Sequence, residues 1–239
     1  MNSKAAVSGS VDIRRIRGLL FDVDGTLSNT DDHMVDRLAR FLDPISWLFA
    51  GKDARRFARW FVMASETPIN FFYSLADRLG LDEPISQVYN RLAQKRRTVR
   101  AHQDRFWIIP GIRDKLAALS EHYPMAVVSA RDKLSTNYFL EHFELSQYFK
   151  VIVTSQTCEH TKPYPDPVIH AAGELGFQPQ ACLMIGDTIV DVHAGRLAGA
   201  QTAAVLCGFG TQQELKRAGA DMILASTLDI LSILASNDK

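Results

Sequence analysis

The chain has 239 residues, 46% hydrophobic and 23% charged, proportions of a soluble globular protein long enough for one large domain or two small ones. Its 27 Lys and Arg balance its 27 Asp and Glu, so no global charge directs it to nucleic acid or to an anionic membrane. No run reaches the roughly 18 apolar residues of a membrane span, and three cysteines (Cys158, Cys182, Cys207) are too few and too unpatterned for a disulfide framework or a zinc site. Residues 1–17 are polar, lack an apolar signal core and read as a frayed lead-in. The expected location is therefore the reducing cytoplasm.

The first buried strand is predicted over 19–23, from the apolar run Gly18-Leu19-Leu20-Phe21. It runs into Asp22-Val23-Asp24-Gly25-Thr26-Leu27. Strand geometry sends residues two apart to the same face and neighbours to opposite faces only while the strand lasts. A turn at Gly25, a residue that adopts dihedrals others avoid, is expected to bend the chain so that both carboxylates serve one site.

About a hundred residues then separate Leu27 from the next strand, whereas a parallel crossover needs only about a dozen or more. Only 112–122 looks like an ordinary crossover helix. The rest is read as an insertion with helical periodicity over 33–42, 54–64, 69–79 and 85–99, punctuated by Pro44, Pro68 and Pro84 near helix starts. Beyond it, strands are predicted over 125–129, 151–154, 182–186, 202–206 and, more weakly, 222–224. Helices are predicted over 133–143, 167–175, 190–198, 212–218 and 227–234. This alternation is the pattern of an α/β fold with a doubly wound parallel sheet. The expected domains are an α/β core from 1–29 and 106–239, and a helical cap from 30–105.

In such sheets ligands bind beyond the carboxyl ends of the strands. Four elements fall there or close by. They are Asp22 with Asp24; Ser129, closing Met125-Ala126-Val127-Val128; Lys162 in Thr161-Lys162-Pro163-Tyr164-Pro165; and Gly186-Asp187-Thr188-Ile189-Val190-Asp191 after the fourth core strand. Taken singly each has a bland reading: a capped turn, a helix start with Asp187 near an N-cap, an exposed lysine among prolines.

Together, in this order, they resemble the haloacid dehalogenase-like hydrolase superfamily, in its phosphoglycolate phosphatase and β-phosphoglucomutase-like branch. The resemblance covers about two thirds of the chain. It implies a hydrolase of small phosphate monoesters. Asp22 would be the nucleophile, forming an aspartyl-phosphate. Asp24 would be the general acid and then the base. Mg²⁺ would be held by Asp22, Asp187 and the backbone carbonyl of Asp24, with Asp191, one helical turn beyond Asp187, orienting its shell. The phosphate would be bound by Gly25, Ser129, the Ala130 amide and Lys162, whose charge also serves the transferring phosphoryl group.

The insertion resembles the helical cap of that superfamily, which closes over small substrates. Residues 52–105 hold eleven Lys or Arg against six Asp or Glu. Arg forks suit carboxylate and phosphate, so Arg55, Arg56 and Arg59 are candidates for reading an anionic substrate tail; a solvated helix face is the competing reading. Gly208-Phe209-Gly210 invites a dinucleotide reading, but Gln213 stands where a third glycine belongs. It resembles instead the glycine-rich loop near the end of phosphoglycolate phosphatase-like members.

The expected partner is a small phosphorylated metabolite, with phosphoglycolate the first guess by resemblance, and with no nucleic acid or membrane. The expected assembly is a monomer or homodimer. Two alternatives stand beside the phosphatase: a phosphomutase acting on a sugar phosphate, and a catalytically silent protein that binds a phospho-ligand.

Overall fold

A computed structural model describes residues 8–29, 40 and 107–235. The chain divides into two compact units, Met1–Asp31 with Phe106–Lys239, and Asp32–Arg105. Apart from Arg40, the second unit lies outside the described residues, and so do the four helices expected there, Arg55, Arg56 and Arg59.

The first unit is built on a seven-stranded sheet. Its strands are β1 (Ser8–Gly9), β2 (Gly18–Phe21), β3 (Met125–Val128), β4 (Val151–Val153), β5 (Cys182–Gly186), β6 (Gln201–Val205) and β7 (Met222–Leu224). The spatial order is β1-β7-β6-β5-β2-β3-β4. All neighbours pair in parallel except β1 with β7. The six parallel strands are those predicted, with ends shifted by a residue or two. The lead-in needs correcting: Ser8 and Gly9 pair with Ile223 and Met222 as an antiparallel edge strand, and Ile16 is buried. Two residues are too short to show a strand period.

The described helices are α1 (Ile112–Ser120), α2 (Lys133–His142), α3 (Asp166–Glu174), α4 (Ile189–Ala198), α5 (Gln212–Ala218) and α6 (Ile230–Ala235). Their ends follow local chemistry. Asp132 caps α2 by accepting from the Ser135 amide at 3.0 Å. Thr211 and Glu214 form a reciprocal capping box at the start of α5, and Gly219, at φ 85°, closes it. The single helix expected over 227–234 is a 3₁₀ turn, Thr227–Asp229, followed by α6.

Alternate strand residues face opposite sides of the sheet, and both sides are covered. Leu19 and Phe21 join Leu116, Phe139, Val127 and Ile185 in one buried cluster. Leu20 joins Ala126, Val128, Val168, Ala171 and Met184 in the other. Covered on both faces, the strands read as continuous apolar runs rather than alternating ones. From β2 the chain moves outward through β3 and β4, then returns to the other side of β2 for β5, β6 and β7. The strand order therefore reverses between β2 and β5. A crevice opens at such a point beyond the carboxyl ends, and Asp22 and Asp187 are the residues that follow those two ends.

Candidate active site

Asp22 follows β2 by one residue, and its amide continues the ladder to the Ile185 carbonyl at 2.9 Å. The chain then turns, with the amides of Leu27 and Ser28 both donating to the Val23 carbonyl, at 2.9 and 2.8 Å. Gly25 takes φ 70°, the left-handed region. This is the turn the sequence requires, but its two carboxylates meet different partners. Asp22 points into the protein and Asp24 toward its rim, with 8% and 39% of their side chains exposed.

Lys162 reaches Asp22 from the loop ahead of α3. Its Nζ lies 2.6 Å from Asp22 Oδ1 and 2.6 Å from Asp191 Oδ1. Asp191 sits in the first turn of α4, where its other oxygen accepts from the Thr188 amide at 3.1 Å and the Thr188 hydroxyl at 2.7 Å. Gly186 makes this possible: a Cβ there would lie 2.3 Å from Asp191 Cβ and Cγ. Burial alone would pull the Lys162 ammonium down, but the Asp191 and Asp22 charges outweigh it and hold it above the ordinary lysine range. For Asp22, desolvation is the largest influence and pushes the carboxyl up to about 7. Lys162 pulls back, while Asp191 and Asp24 push the same way as burial.

Asp187 is fully buried. Its Oδ2 accepts from the Phe209 amide at 2.8 Å, its Oδ1 from the Thr26 hydroxyl at 3.4 Å, and its carbonyl from the Gly210 amide at 3.1 Å. A Cβ on Gly25 or Gly208 would lie 2.2 or 2.1 Å from Asp187 Oδ2. The loop Gly208-Phe209-Gly210 thus closes around a carboxylate of its own chain. Its glycines are there for close approach, which explains a glycine-rich loop that lacks the third glycine of the dinucleotide pattern.

Ser129 is buried at the end of β3; its amide donates to the Val153 carbonyl at 2.9 Å, and its Oγ accepts from the Arg131 amide at 3.1 Å. Accepting there orients the oxygen, and the hydroxyl proton remains a donor. Ala130 is exposed beside it. The residue that sequence reasoning missed is Arg131. Its Nε donates to Asp24 Oδ2 at 2.6 Å, and its Nη2 donates to Asp24 Oδ1. Its position two residues after Ser129, in the loop beyond the strand next to β2, was the available signal.

Three of these carboxylates, Asp22, Asp187 and Asp191, present oxygens within 4.8 Å of one another, all buried. Among the described residues, the buried ammonium that stands against them is Lys162. Buried charge of one sign is costly unless it is paired or coordinates a metal. An excess of hard, anionic oxygen donors suits a divalent cation such as Mg²⁺. The donor set therefore fits the ion that the sequence resemblance implies.

Comparison with known proteins places the chain in a family. A family model described as haloacid dehalogenase-like hydrolase matches residues 19–205, a span that includes Asp22, Ser129, Lys162, Asp187 and Asp191. The chain belongs to the haloacid dehalogenase-like hydrolase family and is an enzyme of the hydrolase class. It is 27% identical to pyrophosphatase PpaX of Anoxybacillus flavithermus, over 94% of this chain and 99% of that one. It is 26% identical to a phosphoglycolate phosphatase of Nitrosococcus oceani, over 91% and 96% of the two chains. Among solved structures it is similar to a predicted phosphatase from Clostridium acetobutylicum, with a TM-score of 0.65 at 22% identity, covering 92% of this chain and 99% of that one. That likeness supports the α/β fold.

Proposed function

We propose that the protein is a Mg²⁺-dependent phosphatase that hydrolyses a small soluble phosphate ester through an aspartyl-phosphate on Asp22. The observation that carries this reading is the buried cluster of Asp22, Lys162, Asp187 and Asp191 at the reversal of strand order. No structural role calls for three carboxylates and a lysine buried in one crevice; replacing such groups by apolar residues is often neutral or stabilising.

Asp22 and Asp187, with the Asp24 carbonyl, are the residues that would hold the ion. Asp191, one helical turn beyond Asp187 and fixed by Lys162 and Thr188, would orient the shell of that ion. When bound, the ion would offset the repulsion between the Asp22 carboxylate and the phosphate, and lend charge stabilisation to the transferring group.

The chain's own residues do the rest. An Asp22 oxygen attacks phosphorus, forming the Oδ–P bond as the bond to the leaving oxygen breaks with its electron pair. Asp24 gives that oxygen a proton. Asp24, now a carboxylate, takes a proton from water as the water attacks the aspartyl-phosphate, which frees Asp22 and releases phosphate. Lys162 holds the Asp22 oxygen in place and faces the charge that develops on the phosphoryl group. The Ser129 hydroxyl, the Ala130 amide and the backbone at Gly25 supply hydrogen bonds to its oxygens.

The cap over 30–105 would close on the substrate, with Arg55, Arg56 and Arg59 as its anionic readers. A cytoplasmic location follows the same reading. All three cysteines are free thiols, and among the described residues no helix is long and apolar enough to cross a membrane.

The test is phosphate release from a panel of small esters, with pyrophosphate and phosphoglycolate included, with and without Mg²⁺. Metal-dependent release that Asp22→Asn abolishes is the expected result. Isomerised product without free phosphate would favour the phosphomutase. No turnover, with Mg²⁺ and vanadate still raising the melting temperature, would favour the silent binder.

A further inference from the structure

The segments that follow the last two parallel strands take part in the mechanism above only through the Gly208 loop, yet they reach the backbone of the nucleophile turn. Past β6, the Cys207 thiol donates to the Gly25 carbonyl at 3.4 Å. Past β7, the Thr227 hydroxyl donates to the Thr26 carbonyl at 2.7 Å, across 201 residues of sequence. The next carbonyl, that of Leu27, accepts from the Ile109 amide at 3.1 Å. The three carbonyls that follow Asp24's are thus each held by a different distant segment.

Of the two side-chain donors, Thr227 is the firmer. A thiol is a weak donor, whereas Thr227 and Thr26 are both fully buried and their bond has the usual length for a hydroxyl. A threonine at the start of a helical turn often spends its hydroxyl on nearby backbone. Here Ser226 and Asp229 already close a capping box on the 3₁₀ turn Thr227–Asp229, and the Thr227 hydroxyl goes to the nucleophile turn instead. That turn needs outside support. Gly25, at φ 70°, is the residue type with the most backbone freedom to lose. Two peptides ahead of the Thr26 carbonyl is the Asp24 carbonyl, and the hydroxyl of Thr26 itself donates to Asp187 Oδ1 at 3.4 Å. Both of those oxygens belong to the set that would hold the ion.

We propose that Thr227 is a positioning residue for the ion: its hydroxyl fixes the Thr26 peptide, which sets the Asp24 carbonyl and, through the Thr26 side chain, the Asp187 carboxylate in the arrangement that binds Mg²⁺. The inference rests on the phosphatase reading. Thr227 acts through Thr26 rather than on ion or ester, so its loss falls on metal affinity and not on recognition of the substrate.

The experiment compares three variants with wild type. Thr227→Val keeps the shape and removes the hydroxyl. Thr227→Ser keeps the hydroxyl and removes a methyl. Thr202→Val removes another buried hydroxyl, one that donates to Asp221 at 2.9 Å near the start of β6, at the opposite end of that strand from Cys207. Calorimetric titration with Mg²⁺ alone, well below each protein's melting temperature, reads the affinity without substrate. Thr227→Val should weaken Mg²⁺ binding by about tenfold, the low end of what an outer partner of a metal ligand contributes. Thr227→Ser should bind Mg²⁺ as wild type does, even where the lost methyl lowers the melting temperature. Thr202→Val should lose melting temperature and keep its Mg²⁺ affinity. In turnover, Thr227→Val should need correspondingly more Mg²⁺ for half activation, with KM for the preferred ester unchanged once Mg²⁺ is saturating.

Wild-type affinity in Thr227→Val, or a loss of the same size in Thr227→Ser or in Thr202→Val, overturns the positioning role. Mg²⁺-dependent phosphate release that needs Asp22 would then leave the phosphatase reading standing. A wild type that neither binds Mg²⁺ nor releases phosphate from any ester overturns that reading and the inference with it.

Discussion

Asp22 and Asp24 stand two residues apart on one turn, yet the protein treats them in opposite ways. Asp22 is buried against Lys162, which is itself held by Asp191, which is in turn held by Thr188. Asp22 is anchored to a strand end, Asp191 and Thr188 to a helix start, and Lys162 comes from the loop ahead of α3. Asp24 lies at the rim and, among the described residues, leans on the Arg131 side chain. The contrast follows the chemistry proposed for each. A nucleophile gains from a fixed position, and a buried network of charges holds position at the expense of desolvation. An acid that must gain and lose a proton needs water and an exchangeable partner.

The comparison is broken most strongly by removing the nucleophile. Asp22→Asn is expected to lower turnover on the order of 10⁴-fold or more, while the fold stays intact by circular dichroism. Asp24→Asn should cost about 10²–10⁴-fold on alkyl phosphates and much less on p-nitrophenyl phosphate, which has little need of an acid. Equal losses on both would remove Asp24 from the acid role.

Lys162→Met strikes the buried side from within. It leaves Asp22 and Asp191 without their shared cation, and removing one partner from a buried ion pair costs about 3–5 kcal/mol. Urea denaturation should show that loss, with Mg²⁺ restoring part of it; a loss under about 1 kcal/mol would place the pair in the weak, surface class. Gly208→Ala should act more gently. Its new Cβ would lie 2.1 Å from Asp187 Oδ2 unless the loop moves, so the Mg²⁺ concentration needed for half activation should rise, with kcat less affected.

The smallest effect is in pH. The Asp22 carboxyl is raised from 3.8 to about 7 in the folded protein, by burial first. A raised carboxyl binds its proton more tightly when folded, so its stabilising contribution is complete below 3.8 and is lost as pH rises through about 7. In chelator, wild type should lose melting temperature relative to Asp22→Asn across that window, and Mg²⁺ should cancel the loss. A wild type that instead gains melting temperature over Asp22→Asn as pH rises would reverse the sign of the account.

Much of this was legible because of where strand ends fall. Apolar runs marked β2 through β7, and the polar residues just past them, Asp22, Ser129 and Asp187, had to line one crevice. Asp191 was legible from helical spacing. Lys162 was not, on its own, since nothing in a proline-rich loop shows where a side chain reaches; its resemblance to the family motif supplied it. Arg131 was missed because its role depends on β3 lying beside β2, a register that no local pattern states. Gly208 and Gly210 were rightly set apart from a dinucleotide loop, but what they approach was not legible: glycine marks close approach, and what approaches is Asp187. Arg55, Arg56 and Arg59 lie outside the described residues, and periodicity alone gives no side chain its place at a site.

The central claim is that phosphorus passes through Asp22, and the direct measurement is to catch it there. Wild-type protein mixed with Mg²⁺ and a turned-over substrate, quenched in acid within one turnover and digested, should carry one phosphoryl group on the peptide containing Asp22. Asp22→Asn treated in the same way should carry none. Steady turnover with no phosphoryl group on that peptide, or with one on another residue, would contradict the account.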